Sequence, residues 1–518
     1  MGELEQAIRP ITIKGFRSWD TESPECDMDP HNSPDCLNVI VQDGIIYRRP
    51  VIHKEVGDAG TALEIIPDGA AYQVDAAMLM AANKYIARVG NTAAGVYSCT
   101  SIAGAWSSLG TSVGRINGEF AYYNGGAIFP AGAGLSQKCT GTALTTLGGT
   151  PPAGVTVAPD NNMLFLAAGT TGSSLRFSGI GTENTWLDTD ALAVGIGDAY
   201  YSWALKNMGD WLLATRPTGI WAVRGYGRSS LRVDQLSDGW GSIQTGHIVN
   251  GPTGAFLFGT APHRSAPVVS PVANDAGIFD AILHVSRAGR VEPVSNIIKS
   301  SDLFGPAQSA YNELYFGGNP PTLRMHYDPY NEILYVIPYA YANDGTAYGG
   351  RRVYVLTNSG WAKWTFSANN PISCINAGRT AGKTLVTGPA TATMKYVFRF
   401  NDSPATDQGG DYFYSGGDTY QALESYWCTP RMALPTQDRD DTVHFMYLAG
   451  SGAVTVYSRV NDATAWTNHE TWTLSSHGVR IPLGVRGRAI QFKFLFSTLN
   501  DGEIHWYTMG VEPYGASA

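Results

Sequence analysis

The chain has 518 residues, a net charge of −9, 44% hydrophobic residues and only 15% charged ones, against about 25% charged in an ordinary soluble protein. That much apolar side chain excludes disorder, and 60 glycines argue against helices, where each costs about 1 kcal/mol relative to alanine. Net acidity without a long basic run argues against a tight grip on nucleic acid, which needs Lys and Arg to neutralise phosphates. The length suggests two or three domains.

The first ten residues, "MGELEQAIRP", are charged and polar and lack the character of a signal peptide. Cys26, His31 and Cys36, with Asp27, Asp29 and Asp35 between them, are metal-ligand types. Their spacing is wide, and no second pair completes a four-ligand zinc site, so an irregular entry loop is expected and no metal or cofactor. The six cysteines are scattered, and reduced thiols are expected.

"NSPDCLNVIVQDGIIYRRP" (32–50) reads as a β-hairpin. With Asp43-Gly44 as a two-residue type I′ turn, Gln42 pairs with Ile45 and Asn38 falls opposite Arg49. Leu37, Val39, Val41, Ile46 and Arg48 then share the other face. Asn38, Arg48 and Arg49 are the candidate structural or interface residues. An Asn38–Arg49 hydrogen bond, arginines reaching a neighbouring subunit's carboxylate, and arginines solvated at a strand end all remain open.

Strand candidates follow at "KYIARVG" (84–90), "NMLFLAAG" (162–169), "WLLATRPTGIWAVRG" (211–225), "GAFLFG" (254–259), "NEILYVIPY" (331–339), "RRVYVLT" (351–357) and "KYVFRF" (395–400). Each is rich in β-branched and aromatic residues and bounded by turn formers. Between them lie tempting motifs with blander readings. "GTSVG" (110–114) fits a nucleophile elbow, but no strand-to-helix context supports catalysis by Ser112. Cys139–Pro159 is uncharged yet made of Thr, Gly and Pro, which cannot replace the about 20 apolar residues of a membrane helix. "SNIIKSSDLFGPAQSA" (295–310) has room for a helical turn or two, limited by Pro306. "NSGWAKW" (358–364) resembles a blade-end aromatic turn without its organising Asp. "AGRTAGKT" (377–384) fits a loose phosphate loop, but a β-rich stretch follows Lys383-Thr384 where a helix is required. No catalytic residue is expected.

Residues 51–400 divide into either propeller blades of about 40–50 residues, giving about six to eight, or a set of sandwiches. The absence of a domain-sized boundary favours the propeller. Composition shifts at 401–420, read as a linker or long loop. Longer strands follow: "ALESYWCTP" (422–430), "DTVHFMYLAG" (441–450), "AVTVYSRV" (453–460), "GVRIPLG" (478–484), "RAIQFKFLFS" (488–497) and "EIHWYTMGVEPY" (503–514). Ile490, Phe492, Phe494 and Phe496 share one face, with Gln491 and Lys493 on the other. The expected fold is therefore all-β. An N-terminal arm and hairpin (1–50) packs with a C-terminal antiparallel β-sandwich or platform (421–518), and a β-propeller (51–400) lies between them in sequence.

"GFRSWDT" (15–21) followed by "SPDCLNV…DGIIYRRP" (33–50) resembles the N-terminal signature of bacteriophage tail β-propeller proteins, including the nozzle, or packaged-DNA stabilization, proteins of short-tailed phages. Pro34, Asn38, Gly44, Arg48, Arg49 and Pro50 carry it. Val51 departs from it, standing where many relatives have Gly. "LRFSGIGTENTWLDTDALAVGIGD" (175–198), "MGDWLLATRPTGIWAVRGYG" (208–227), "VDQLSDGWGS" (233–242) and "ESYWCTPRM" (424–432) also look like the family. The resemblance implies a structural virion protein of the phage tail, made in the host cytoplasm, and not an enzyme. It implies a ring, commonly six copies, that contacts portal or adaptor and fibre or spike proteins. Double-stranded DNA passes through the lumen without specific binding. The alternative is a carbohydrate-binding or glycan-cleaving propeller that acts as a receptor-binding tail component, with exposed aromatics stacking on sugars.

Overall fold

In the computed structural model the described residues are 8–54, 74–80, 84–89, 94–100, 107–112, 120–130, 134–168, 174–195, 204–216, 219–242, 248–261, 279–298, 324–337, 352–366, 374–377, 384–387, 397–401, 410–414, 418–436, 438–497 and 502–513. Every regular element among them is a strand. At 295–298 there is one hydrogen-bonded turn, the Ile298 N–H donating to the Ser295 carbonyl (3.1 Å), and no helix; the rest of 295–310 lies outside the described residues.

Among the described residues, seven antiparallel sheets of four strands follow one another along the chain. Six are simple meanders, at 74–112, 121–146, 154–193, 204–237, 248–293 and 324–365. The seventh takes three strands from 374–401 and its fourth from the far N-terminal side, where β5 (Val51–Lys54) pairs with Val397–Asn401. First strands of neighbouring sheets lie together: Gly154–Asp160 against Ala204–Asn207, and Ile248–Asn250 against Arg324–Asp328. Cys374–Ala377 touches both Arg324–Asp328 and Val74–Met80, so the last sheet returns to the first.

Two further sheets have six strands each. In the hairpin sheet, β3 (Val39–Gln42) pairs with β4 (Ile45–Arg48), and β4 with Glu503–Glu512. Asp441–Ser451 and Val479–Gly487 follow, and β1 (Arg9–Lys14) also pairs with Glu503–Glu512. In the other sheet, β2 (Cys36–Leu37) pairs with Ser425–Cys428, followed by Ala489–Phe496, Ala453–Val460 and Thr467–Thr473. Residues 8–48 are thus strand partners of the C-terminal sheets.

One apolar core joins the two six-stranded sheets to the sixth four-stranded sheet. Tyr507 of the hairpin sheet meets Phe494 of the β2 sheet at 5.5 Å between ring centres, and Phe16 stacks on Tyr507 at 6.2 Å. Tyr335 and Trp364 carry the core into the sixth sheet. Ile490, Phe492, Phe494 and Phe496 are all buried, as their alternation requires. Gln491, on the opposite face, is buried too, because it donates to the Thr429 carbonyl and accepts from Arg459 Nε.

The expected linker at 401–420 is corrected in part. Gly410–Tyr414 and Asp418–Ala422 form a two-stranded hairpin, with Tyr412 opposite Tyr420. Two polar turn signals close together (Gly409-Gly410 and Gly416-Gly417) concealed short aromatic strands.

Candidate functional site

Asn38 is the corner of the N-terminal segment. It lies between β2 and β3, so the chain passes from one six-stranded sheet to the other across this single residue. Its φ of +53° is left-handed, a conformation Asn tolerates better than most L-residues. The following hairpin has the expected register: Gln42 opposite Ile45, Val41 opposite Ile46, Ile40 opposite Tyr47 and Val39 opposite Arg48. Asp43 and Gly44 both have positive φ, 52° and 76°, as a type I′ turn demands. Gly44 is needed for a second reason. A Cβ there would stand 2.7 Å from the Gly15 Cα, where the entering chain crosses the turn.

The side chain of Asn38 is fully engaged. Its Oδ1 accepts from Arg49 Nε (3.0 Å) and from the Thr365 backbone N–H (2.8 Å). Its Nδ2 donates to the Glu424 carbonyl (2.8 Å) and to Thr365 Oγ1 (3.2 Å). Arg49 donates further to the carbonyls of Pro50 (2.9 Å) and Thr365 (3.1 Å). Its guanidinium stacks 4.4 Å from the Phe366 ring centre. Arg49 is 2% exposed and Arg48 8%. The readings in which these arginines are solvated or reach a neighbouring subunit are therefore corrected. Arg49 is satisfied inside its own chain, and Arg48 sits on the inward face beside Val39.

Around this node the sixth four-stranded sheet is bolted to the hairpin. Trp364 Nε1 donates to the Val39 carbonyl (2.7 Å), and Thr357 Oγ1 to the Val41 carbonyl. Asn358 Nδ2 donates to Asp43 Oδ1 (2.8 Å), and the Gly44 N–H to Ser359 Oγ (3.2 Å). The Trp361 N–H donates to Ser18 Oγ (2.9 Å), and the Trp361 carbonyl accepts from the Trp19 N–H (2.8 Å). Asp35 takes Lys363 Nζ (3.2 Å) on one oxygen and Tyr426 Oη–H (2.8 Å) on the other. "NSGWAKW" is thus the docking turn and strand for the N-terminal segment.

The motifs of the entry region find other uses. His31 Nδ1 lies 2.5 Å from Asp29, which also pairs with Arg17 at 2.9 Å. Burial pulls the Asp29 carboxyl upward, but its hydrogen bonds to the His31 backbone and ring, with the charges of His31 and Arg17, leave it below its ordinary range. Cys36 is fully buried and its thiol is pushed up to about 12 by burial, which suits a core residue and not a ligand. No cluster of three metal-ligating side chains occurs among the described residues. Ala377 and Thr384 pair as the ends of two antiparallel strands, so a strand follows Lys383 where a phosphate loop needs a helix; 378–383 lie outside the described residues. Ser112 ends a strand, and 113–114 lie outside the described residues.

A second set of residues was missed from the sequence. Asp160, Asn207, Asn250 and Asp328 each end the first strand of their sheet, the third to the sixth. Asn207 Nδ2 donates to Asp160 Oδ1 (2.5 Å) and to the Pro159 carbonyl (3.1 Å), and Asn250 Nδ2 donates to the Asn207 carbonyl (3.0 Å). These bonds tie the fourth sheet to the third and the fifth to the fourth; Asp328 instead accepts from Tyr330 and Asn331 within its own turn. The signal is an Asp or Asn a few residues before an apolar run: "PDNNMLFLAA", "KNMGDWLLAT", "VNGPTGAFLF" and "YDPYNEILYV". Burial raises the Asp160 carboxyl to about 6; Asn161 opposes this and the charge of Asp210 adds to it.

No protein-family model matches the chain, and no curated protein matches it. Among solved structures it is similar to the computationally designed Ika8 protein (11% identity, TM-score 0.38, 75% of this chain and 99% of that one). It is also similar to the WD40 domain of Toxoplasma gondii coronin (10%, 0.38, 75% and 92%). A third is the exo-β-1,3-galactanase of Phanerochaete chrysosporium (9%, 0.25, 89% and 100%). At these scores the likenesses carry no argument about fold or activity.

Proposed function

We propose that this chain is a structural subunit of a bacteriophage tail, of the nozzle type, acting as one copy of a ring that extends the DNA channel. On this reading the seven four-stranded sheets are the blades of a β-propeller, and the two six-stranded sheets are its sandwich or platform. The order of first strands and the return of the seventh sheet to the first support the propeller. The shared core between the two large sheets supports the sandwich.

The observation that carries the functional reading is where the signature residues fall. Asn38, Gly44, Arg49 and Pro50 sit at the joint between the four-stranded series and the six-stranded pair, and Asn38 and Arg49 bond directly to each other. A sequence signature concentrated on a buried joint suits a protein whose task is to hold two bodies in fixed relation. A tail ring transmitting DNA under pressure needs that rigidity. It also needs large subunit contacts closed by rotation.

Native mass spectrometry of the purified protein, with a low-resolution image of the virion tail in which it is located, tests the reading. A closed ring found in the tail supports it. A stable monomer absent from virions overturns it.

A further inference from the structure

The outward face of the hairpin sheet is unusual for a surface facing water. Register places Phe445 opposite Gly510 and Tyr447 opposite Thr508, with Trp506 next on the same face. Two glycines let the rings lie flat. A Cβ on Gly510 would come within 2.5–2.9 Å of three ring carbons of Phe445, and one on Gly478 would come 3.1 Å from the Trp506 ring. Arg480 stacks over Phe445 at 4.5 Å, Lys14 stands 6.0 Å from the Trp506 ring centre, and the exposed Arg486 lies opposite Thr442 on this face. Two carboxylates of the same strand lie on this side, each held by a histidine: Glu512 by His444 at 2.6 Å and Glu503 by His505 at 3.0 Å.

We propose that this face is the contact surface for a second copy of this chain. The assignment rests on the ring proposed above. Two observations choose the occupant. Tyr, Trp, Phe and Arg brought together on one face are the residue types enriched at the centres of protein interfaces. The face is also cationic on a chain of net charge −9, so the rest of a second copy offers the complementary sign. Exposed carboxylates such as Asp188 and Asp462 are of the kind the cations would meet. Such a contact is heterologous, and repeated by rotation it closes a ring.

The test compares the full-length chain with Arg480→Glu and Lys14→Glu, which lie on different strands, and with Arg480→Lys as the conservative control. Native mass spectrometry reads the oligomer, and hydrogen exchange reads strands 445–449 and 506–511. The expected result is an oligomeric parent whose two strands are protected by assembly. Each charge reversal should weaken association at least tenfold at unchanged melting temperature, and Arg480→Lys should retain most of it. A monomeric parent would sink the ring itself. An oligomeric parent that both reversals leave intact, or protection of these strands by an acidic polysaccharide instead of a second copy, would sink only this assignment of the face.

Discussion

Asn38 combines a left-handed backbone with four side-chain hydrogen bonds, so Asn38→Ala should cost about 3 kcal/mol. Part of that is backbone strain and the rest is polar groups left unpaired; urea unfolding measures it. Arg49→Ala should cost about as much, through the cavity and the loss of Asn38's partner. Because both arginines are buried, the Arg48→Ala, Arg49→Ala double variant should lose stability as a monomer. What was legible at this scale was the pairing of Asn38 with Arg49, because a two-residue turn dictates the register. The burial was not legible, since Thr365, Phe366 and Glu424 lie more than 300 residues away. A third residue gives a pH effect. Burial lowers His326 to about 4; the charge of Asp328 opposes this and that of Lys206 adds to it. As pH falls from 6.5 to 4 the unfolded chain takes up a proton that the folded chain refuses, so stability drops across that window. Asp160, raised to about 6, slopes the opposite way between about 6 and 4. His326→Gln should therefore lose less melting temperature than the parent between pH 6.5 and 4, by about 2–4 °C.

The strands visible in the sequence of the four-stranded sheets are all second or third strands, such as Met163–Ala168, Leu212–Arg216 and Ile333–Ile337. Central strands are covered on both faces and read as continuous apolar runs. Some fourth strands are short and mixed: Ala191–Ala193 is largely exposed and Val291–Pro293 half-buried, so nothing in their pattern announces them. Thr467–Thr473, the polar edge of the β2 sheet, escaped for the same reason. The turn of the N-terminal hairpin was legible because its chemistry is local. Gly44→Ala is expected to cost about 2 kcal/mol, combining positive φ with the approach of Gly15. A loss of less than about 0.5 kcal/mol in urea unfolding would mean that the crossing relaxes freely.

Across the whole molecule, the chain's front end is spread over three sheets: β1, β3 and β4 in the hairpin sheet, β2 in its neighbour, and β5 in the seventh four-stranded sheet. Apart from the β3–β4 hairpin, no local pattern reveals such partners, because each of the other pairings spans hundreds of residues. Removing residues 1–54 should leave an unpaired strand edge at Val397–Asn401 and strip the hairpin sheet of three strands. Limited proteolysis should then cut at Val397–Asn401 faster than in the parent. A truncated chain as resistant as the parent would show that the seventh sheet stands without β5.

The position of β5 and β1 also sets a clock. A ribosome delivers residues 9–54 first, yet β5 must wait for Val397–Asn401 and β1 for Glu503–Glu512. Until the last strand emerges, the earliest ones are bare edges open to the wrong neighbour. Native closure therefore waits until residues 503–512 have emerged, and it is slow in the way that long-range strand pairing is slow. A cell making many copies at once would need to keep those edges apart until each chain has fastened onto itself.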